Sequence, residues 1–125
     1  AVMEHLLEAL ALAPNARARE EIINAIIAAL LTFNEDEFVF PPIVRALLGA
    51  IDREAGRVKA VAVEAMAVVN AVLGSHLGGL LSSNGASPET REMLSRRFER
   101  RELPRINTDG HLLHCEQGVA GSRHA

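Results

Sequence analysis

The chain has 125 residues, 49% of them hydrophobic and 23% charged, with a formal net charge of −3. That length suits one domain, the apolar content excludes a disordered polymer, and the charge argues against general nucleic-acid binding, which needs a strong basic excess. The 20 Ala and 16 Leu, against 4 Phe and no Trp or Tyr, predict an all-α fold, because strands favour β-branched and aromatic side chains.

Residues 2–13 carry Val2, Met3, Leu6, Leu7, Leu10 and Leu12 at near-helical spacing, with Glu4 and Glu8 off that stripe. Pro14 and Asn15 break the pattern and predict a tight turn. A second helix, about 16–31, has Ile22, Ile23, Ile26, Ile27, Leu30 and Leu31 as its apolar face. Glu20 and Glu21 lie near its start, where the macrodipole favours negative charge. Residues 34–37 are a polar loop. Phe38, Val39 and Phe40 have the composition of a short strand, but Pro41 and Pro42 directly after them suit a helix start better. The third helix is placed at about 42–51, with Ile43, Val44, Leu47, Leu48 and Ile51 apolar. After a turn at 52–56, the fourth helix, about 57–73, is small and apolar almost all round: Val58, Val61, Ala62, Ala65, Met66, Val69 and Val72. Such a helix is expected to be buried on several sides, and Gly74 ends it as a C′ glycine. Residues 75–83 form a short helix weakened by Gly78 and Gly79, read as helix-contact glycines, and Asn84 with Gly85 makes a turn. Ser87 as N-cap and Pro88 as first helical residue open a last helix that reaches about Glu102, where Pro104 stops it.

The single cysteine, Cys115, excludes an internal disulfide. Of the longest apolar runs, 22–33 is too short to span a bilayer and 60–73 carries Glu64 and Asn70. The chain opens on Ala1, Val2, Met3 and Glu4, directly in helical pattern and without the basic start of a signal peptide. It is therefore expected to be a piece of a longer protein.

Sliding the sequence by 40 positions aligns Arg19 with Lys59, Ile22 with Ala62, Ile26 with Met66 and Ile27 with Ala67, each pair just after a hairpin turn. A period near 40 is that of HEAT-type repeats, in which antiparallel helical hairpins stack into an α-solenoid. Residues 41–74 resemble such a repeat: Asp52, Val58, Lys59, Ala62 and Met66 match the family's Asp, Val-Arg, Ala and Leu positions. Here the Asp is expected to cap the incoming helix, the base to start it on the solvent side, and Ala to allow close approach. The domain reads as residues 1–113, a HEAT-like solenoid fragment in units of about 1–33, 41–74 and a degenerate 75–113, followed by a flexible tail at 114–125. The first unit keeps Arg19, Ile22 and Ile26 but lacks the Asp.

The run from Leu94 to Pro104, followed by Asn107, Thr108, Asp109 and Gly110, resembles the segment that ends some TOG domains of the crescerin (TOG array regulator) and CLASP groups. The resemblance implies a paddle of HEAT repeats that binds tubulin through the turns within each repeat. It also implies a cytoplasmic, cytoskeletal or ciliary location and no cofactor. It departs in one place: a Trp often found on the tubulin-facing edge has no counterpart, since the chain has no Trp. An open solenoid end would also favour a homodimer, since so few repeats leave much of their core uncovered.

The two hairpin turns offer Asn15, Arg17 and Arg19 in the first and Arg53, Arg57 and Lys59 in the second. Along one solenoid edge these bases would suit an acidic protein surface; as isolated residues at helix starts they would simply be solvated. Residues 91–105 hold six Arg and three acids. Arg96, Arg97, Arg100 and Arg101 recur at three- and four-residue spacing as a basic helix stripe, which suits an acidic tail, a phosphate-bearing partner or a membrane surface, or is a solvated face interleaved with Glu99 and Glu102. Glu35, Asp36 and Glu37 lack a calcium loop's alternation and glycine. His111, His114 and Cys115, near Asp109, lack fixed elements to converge from, and Cys115 lacks a base to make it a nucleophile. No catalytic or metal site is expected, nor a nucleic-acid or membrane partner. His5 and His76 are expected at the surface or boundary. The predicted function is binding, through a TOG-like tubulin-binding module. Two other readings compete: a HEAT scaffold that docks a different protein, and a helical domain of a larger enzyme.

Overall fold

The computed structural model describes residues 2–105, and among them all regular structure is helical. Three hairpins follow one another: α1 (Val2–Leu12) with α2 (Ala16–Thr32), α3 (Phe40–Arg53) with α4 (Gly56–Leu73), and α5 (His76–Ser83) with α6 (Pro88–Glu99). A 3-10 turn at Glu35–Glu37 lies in the link between the first two. The second helices stack side by side, α2 on α4 and α4 on α6, while α3 packs on α4 within its hairpin and on α5 of the next. This is the all-α, stacked-hairpin order expected of HEAT repeats.

The helix starts follow from local chemistry. Asn15 is extended and its Oδ1 accepts the Ala18 N–H at 2.9 Å, satisfying one of the unpaired donors of α2. Ser87 does the same for α6, its Oγ accepting the Thr90 N–H at 3.1 Å, with Pro88 next in line. Glycines frame α4: Gly56 opens it at φ +59° and Gly74 closes it at φ +57°, a region costly for any residue with a Cβ. Between them every residue from 60 to 69 is buried, as an apolar circumference requires. The largest fully buried side chains, Ile23, Ile26, Ile27, Ile43, Leu47, Ile51, Met66, Leu77 and Leu94, form one core with α4 at its centre.

Several boundaries and roles differ from the sequence reading. Helix α3 starts at Phe40, not Pro42, because both prolines fit a first turn where no N–H is needed. The Phe40 ring meets that of Phe38 edge-on, with centroids 6.0 Å apart. Leu12 and Leu31, placed on apolar faces by spacing, are exposed at helix ends. Gly78 and Gly79 are not contact glycines: a Cβ on either would meet nothing within 4 Å. Asp52 does not cap α4, whose N-cap is Ala55 with no side-chain bond; its Oδ1 instead accepts from Thr90 Oγ1 of α6 at 3.2 Å. Helix α6 ends at Glu99, three residues before Glu102, as Arg101 takes a left-handed φ of 61° and turns the chain ahead of the buried Pro104. His111, His114, Cys115, Asp109 and the predicted tail lie outside the described residues. No described helix is long and apolar enough to cross a membrane.

Candidate partner-binding edge

The stacking of second helices brings the turns within each hairpin alongside one another, and side chains tie them together. Arg19 Nε lies 2.8 Å from Glu54 Oε2, linking the start of α2 to the second turn. In the opposite direction Arg57 Nη2 lies 2.8 Å from Glu20 Oε2. Arg19 Nη1 also donates to the Ala13 carbonyl at 3.3 Å, bracing the first turn. The Thr90–Asp52 bond then carries the start of α6 to the end of α3. The three turns, near residues 13–15, 54–55 and 84–87, thus line one edge of the stack.

Of the predicted edge residues, Asn15, Arg17, Arg53 and Arg57 are exposed, while Arg19 and Lys59 are half-buried. The edge is not a plain strip of bases. Arg19 and Arg57 cross between hairpins to carboxylates, and Arg17 pairs with Glu21 one turn along α2 at 3.3 Å. Of the two acids near the start of α2, Glu20 also stands opposite the start of α4 and partners Arg57, while Glu21 stays with Arg17 on its own helix. Arg53 lies back along α3, where Gly49 makes room for it: a Cβ there would fall 2.8 Å from Arg53 Nη1. Lys59, one turn into α4, has no ion-pair partner among the described residues.

The predicted stripe on α6 divides in two. Arg96 is exposed and pairs with Glu92 at 2.9 Å, but Arg97 turns inward with its side chain 3% exposed. Its Nε and Nη2 each donate to one oxygen of the equally buried Glu64, both at 2.8 Å, and Nη2 also donates to the Glu102 carbonyl at 2.8 Å. Arg100 Nη2 stands 3.8 Å from Glu64, and Arg101 lies beyond the helix end. The four bases therefore do not share one solvent-facing stripe. A clue stood in the sequence: a lone carboxylate inside an apolar helix must find a cation or stay costly. Among the described residues no group of three or more His, Cys, Asp or Glu could hold a metal ion.

No protein-family model matches the chain. It is 28% identical over 116 residues to TOG array regulator of axonemal microtubules protein 1 of Homo sapiens, covering 87% of this chain. The protein of the same name from Mus musculus is 30% identical over 103 residues, covering 77% of the chain. The chain spans only 6% of the length of each of these relatives. Among solved structures, a chain from work on how crescerin uses a TOG domain array to regulate microtubules in the primary cilium superposes with a TM-score of 0.77. It is 30% identical, over 89% of this chain and 47% of that one. The stacked hairpins and the sequence thus agree in making this chain a distant homologue of the TOG array regulators, with the fold of a crescerin TOG domain.

Proposed function

We propose that the chain is a tubulin-binding module that acts through its hairpin-turn edge, within a protein that regulates ciliary or axonemal microtubules. Its role is binding rather than catalysis. The observation that carries the reading is the alignment of the three turns along one edge by the Arg19–Glu54, Arg57–Glu20 and Thr90–Asp52 links. An edge whose turns are tied together offers the exposed Asn15, Arg17 and Arg53 to a partner, so less backbone freedom is lost on docking. Outward bases on such an edge favour encounter with an acidic protein surface and set its register. The relatives' names, regulators of axonemal microtubules, support tubulin as that partner.

The test is co-migration of the chain with soluble tubulin on a sizing column at low salt. The wild-type chain is expected to shift with tubulin, and Arg17→Glu combined with Arg53→Glu is expected to abolish the shift without loss of helicity. Both side chains are exposed and neither joins two hairpins, so folding is spared. Absence of the wild-type shift, or its persistence in the double variant, would overturn the assignment.

A further inference from the structure

A cleft of about 470 Å³ opens between α4 and α6, away from the ion pairs that join α2 to α4. Its floor is mainly apolar, made by Ala60, Val63 and Met93 beside the buried, Glu64-paired Arg97. Its rim is cationic, with Lys59 on the α4 side and Arg96 and Arg100 on the α6 side, and no acid lines it among the described residues. The start of α4 adds to the positive potential. Gly56 lines the cleft, and the Ala55 N-cap offers no side chain to the first N–H groups of this 18-residue helix.

Lys59 is the informative residue. A base within the first turns of a helix opposes the macrodipole, and a half-buried ammonium without a carboxylate loses hydration for no return. Arg57, also at the start of α4, is relieved by Glu20; Lys59 has no such relief among the described residues. Among the described residues Arg96 is held by an exposed pair with Glu92 one turn away, the kind of contact that exchanges readily for another carboxylate.

We propose that this cleft binds an acidic peptide segment that carries one apolar side chain between its carboxylates. The apolar side chain covers Ala60, Val63 and Met93, and the flanking carboxylates meet Lys59 on one wall and Arg96 with Arg100 on the other. A phosphate ion would satisfy the rim and leave the floor wet. A membrane, being flat, would not enter a cleft between two helices. The inference does not depend on tubulin binding, since Asn15, Arg17 and Arg53 of the turn edge do not line the cleft.

Fluorescence anisotropy with a labelled Glu-Glu-Leu-Glu-Glu peptide, titrated with the full chain at low salt, tests it. Saturable binding is expected, weakened about tenfold by Lys59→Glu combined with Arg96→Glu, since reversing each rim charge turns an attraction into a repulsion. The milder pair Lys59→Met and Arg96→Gln is expected to weaken it several-fold and guards against a folding defect, with helicity checked by circular dichroism. A Glu-Glu-Ser-Glu-Glu peptide is expected to bind several-fold more weakly, and Arg17→Glu on the turn edge to leave binding unchanged. Three outcomes would overturn the proposal: no saturable binding, binding indifferent to both rim pairs, or equal binding of the Ser peptide with full displacement by inorganic phosphate.

Discussion

At the scale of single residues, the Glu64–Arg97 pair dominates. Two ions with side chains 3% exposed are removed from water, and the forked geometry, the third bond to the Glu102 carbonyl and the nearby Arg100 guanidinium help to compensate for it. Arg97→Met is therefore expected to cost about 3–5 kcal/mol, read as a fall in the urea midpoint, because the buried Glu64 carboxylate loses its forked partner. Arg97→Lys is expected to recover only part of this, since an ammonium cannot fork. Gly56→Ala is expected to cost about 1–2 kcal/mol through its positive φ alone, as a Cβ there has open space. Burial of Arg97 was hidden in the sequence by its neighbours: Arg96, Glu99 and Arg100 form a convincing solvated face, and the true partner lies 33 residues upstream.

At the scale of elements, caps and punctuation were the most legible features. Gly74 and the Ser87-Pro88 pair act locally, so their chemistry can be read without knowing what the helix packs on, whereas Asn15 reads from sequence as a turn residue and its cap emerges only in the structure. Ser87→Ala is expected to cost about 1 kcal/mol, a cap effect measurable by thermal melting. Helix ends governed by tertiary contact were misplaced: α6 stops at Glu99 because the chain folds back toward Arg97, which no local residue signals. Helix α5 is the weak element. It is eight residues long, and its two glycines face open space, so they confer flexibility and nothing in packing. Gly78→Ala and Gly79→Ala are each expected to stabilise the chain by about 0.5–1 kcal/mol in urea titrations. A loss at either site would mean that a neighbour occupies that space.

At the scale of the whole molecule, the repeat is visible where its spacing is kept. Helices α2 and α4 begin at Ala16 and Gly56, which is the 40-residue offset seen in the sequence, whereas α6 follows α4 by only 32 residues. The link from α4 to α5 is two residues, against seven between α2 and α3, and α5 has eight residues against fourteen in α3, so the third unit falls out of phase and looks degenerate although it stacks in order. The turn edge was also legible as a set of positions, but its internal pairing was not, because Glu20 and Glu54 act across hairpins. A double-mutant cycle on Arg19 and Glu54, both only partly exposed, is expected to give a coupling of about 0.5–1 kcal/mol; additivity would show that the link does not hold the turns in register. The buried pair has a further consequence for which helix is allowed to sit against α4. A face made of Ala and Val would accept almost any small apolar neighbour, including the wrong helix of a second copy or of another repeat. A neighbour that brings no cation to that spot leaves Glu64 unpaired at a cost, so the pair is expected to disfavour mispairing. Replacing Glu64 with Leu and Arg97 with Met together is expected to keep the chain folded but to yield mixed oligomers in native mass spectra. A single clean species would show that shape alone chooses the neighbour.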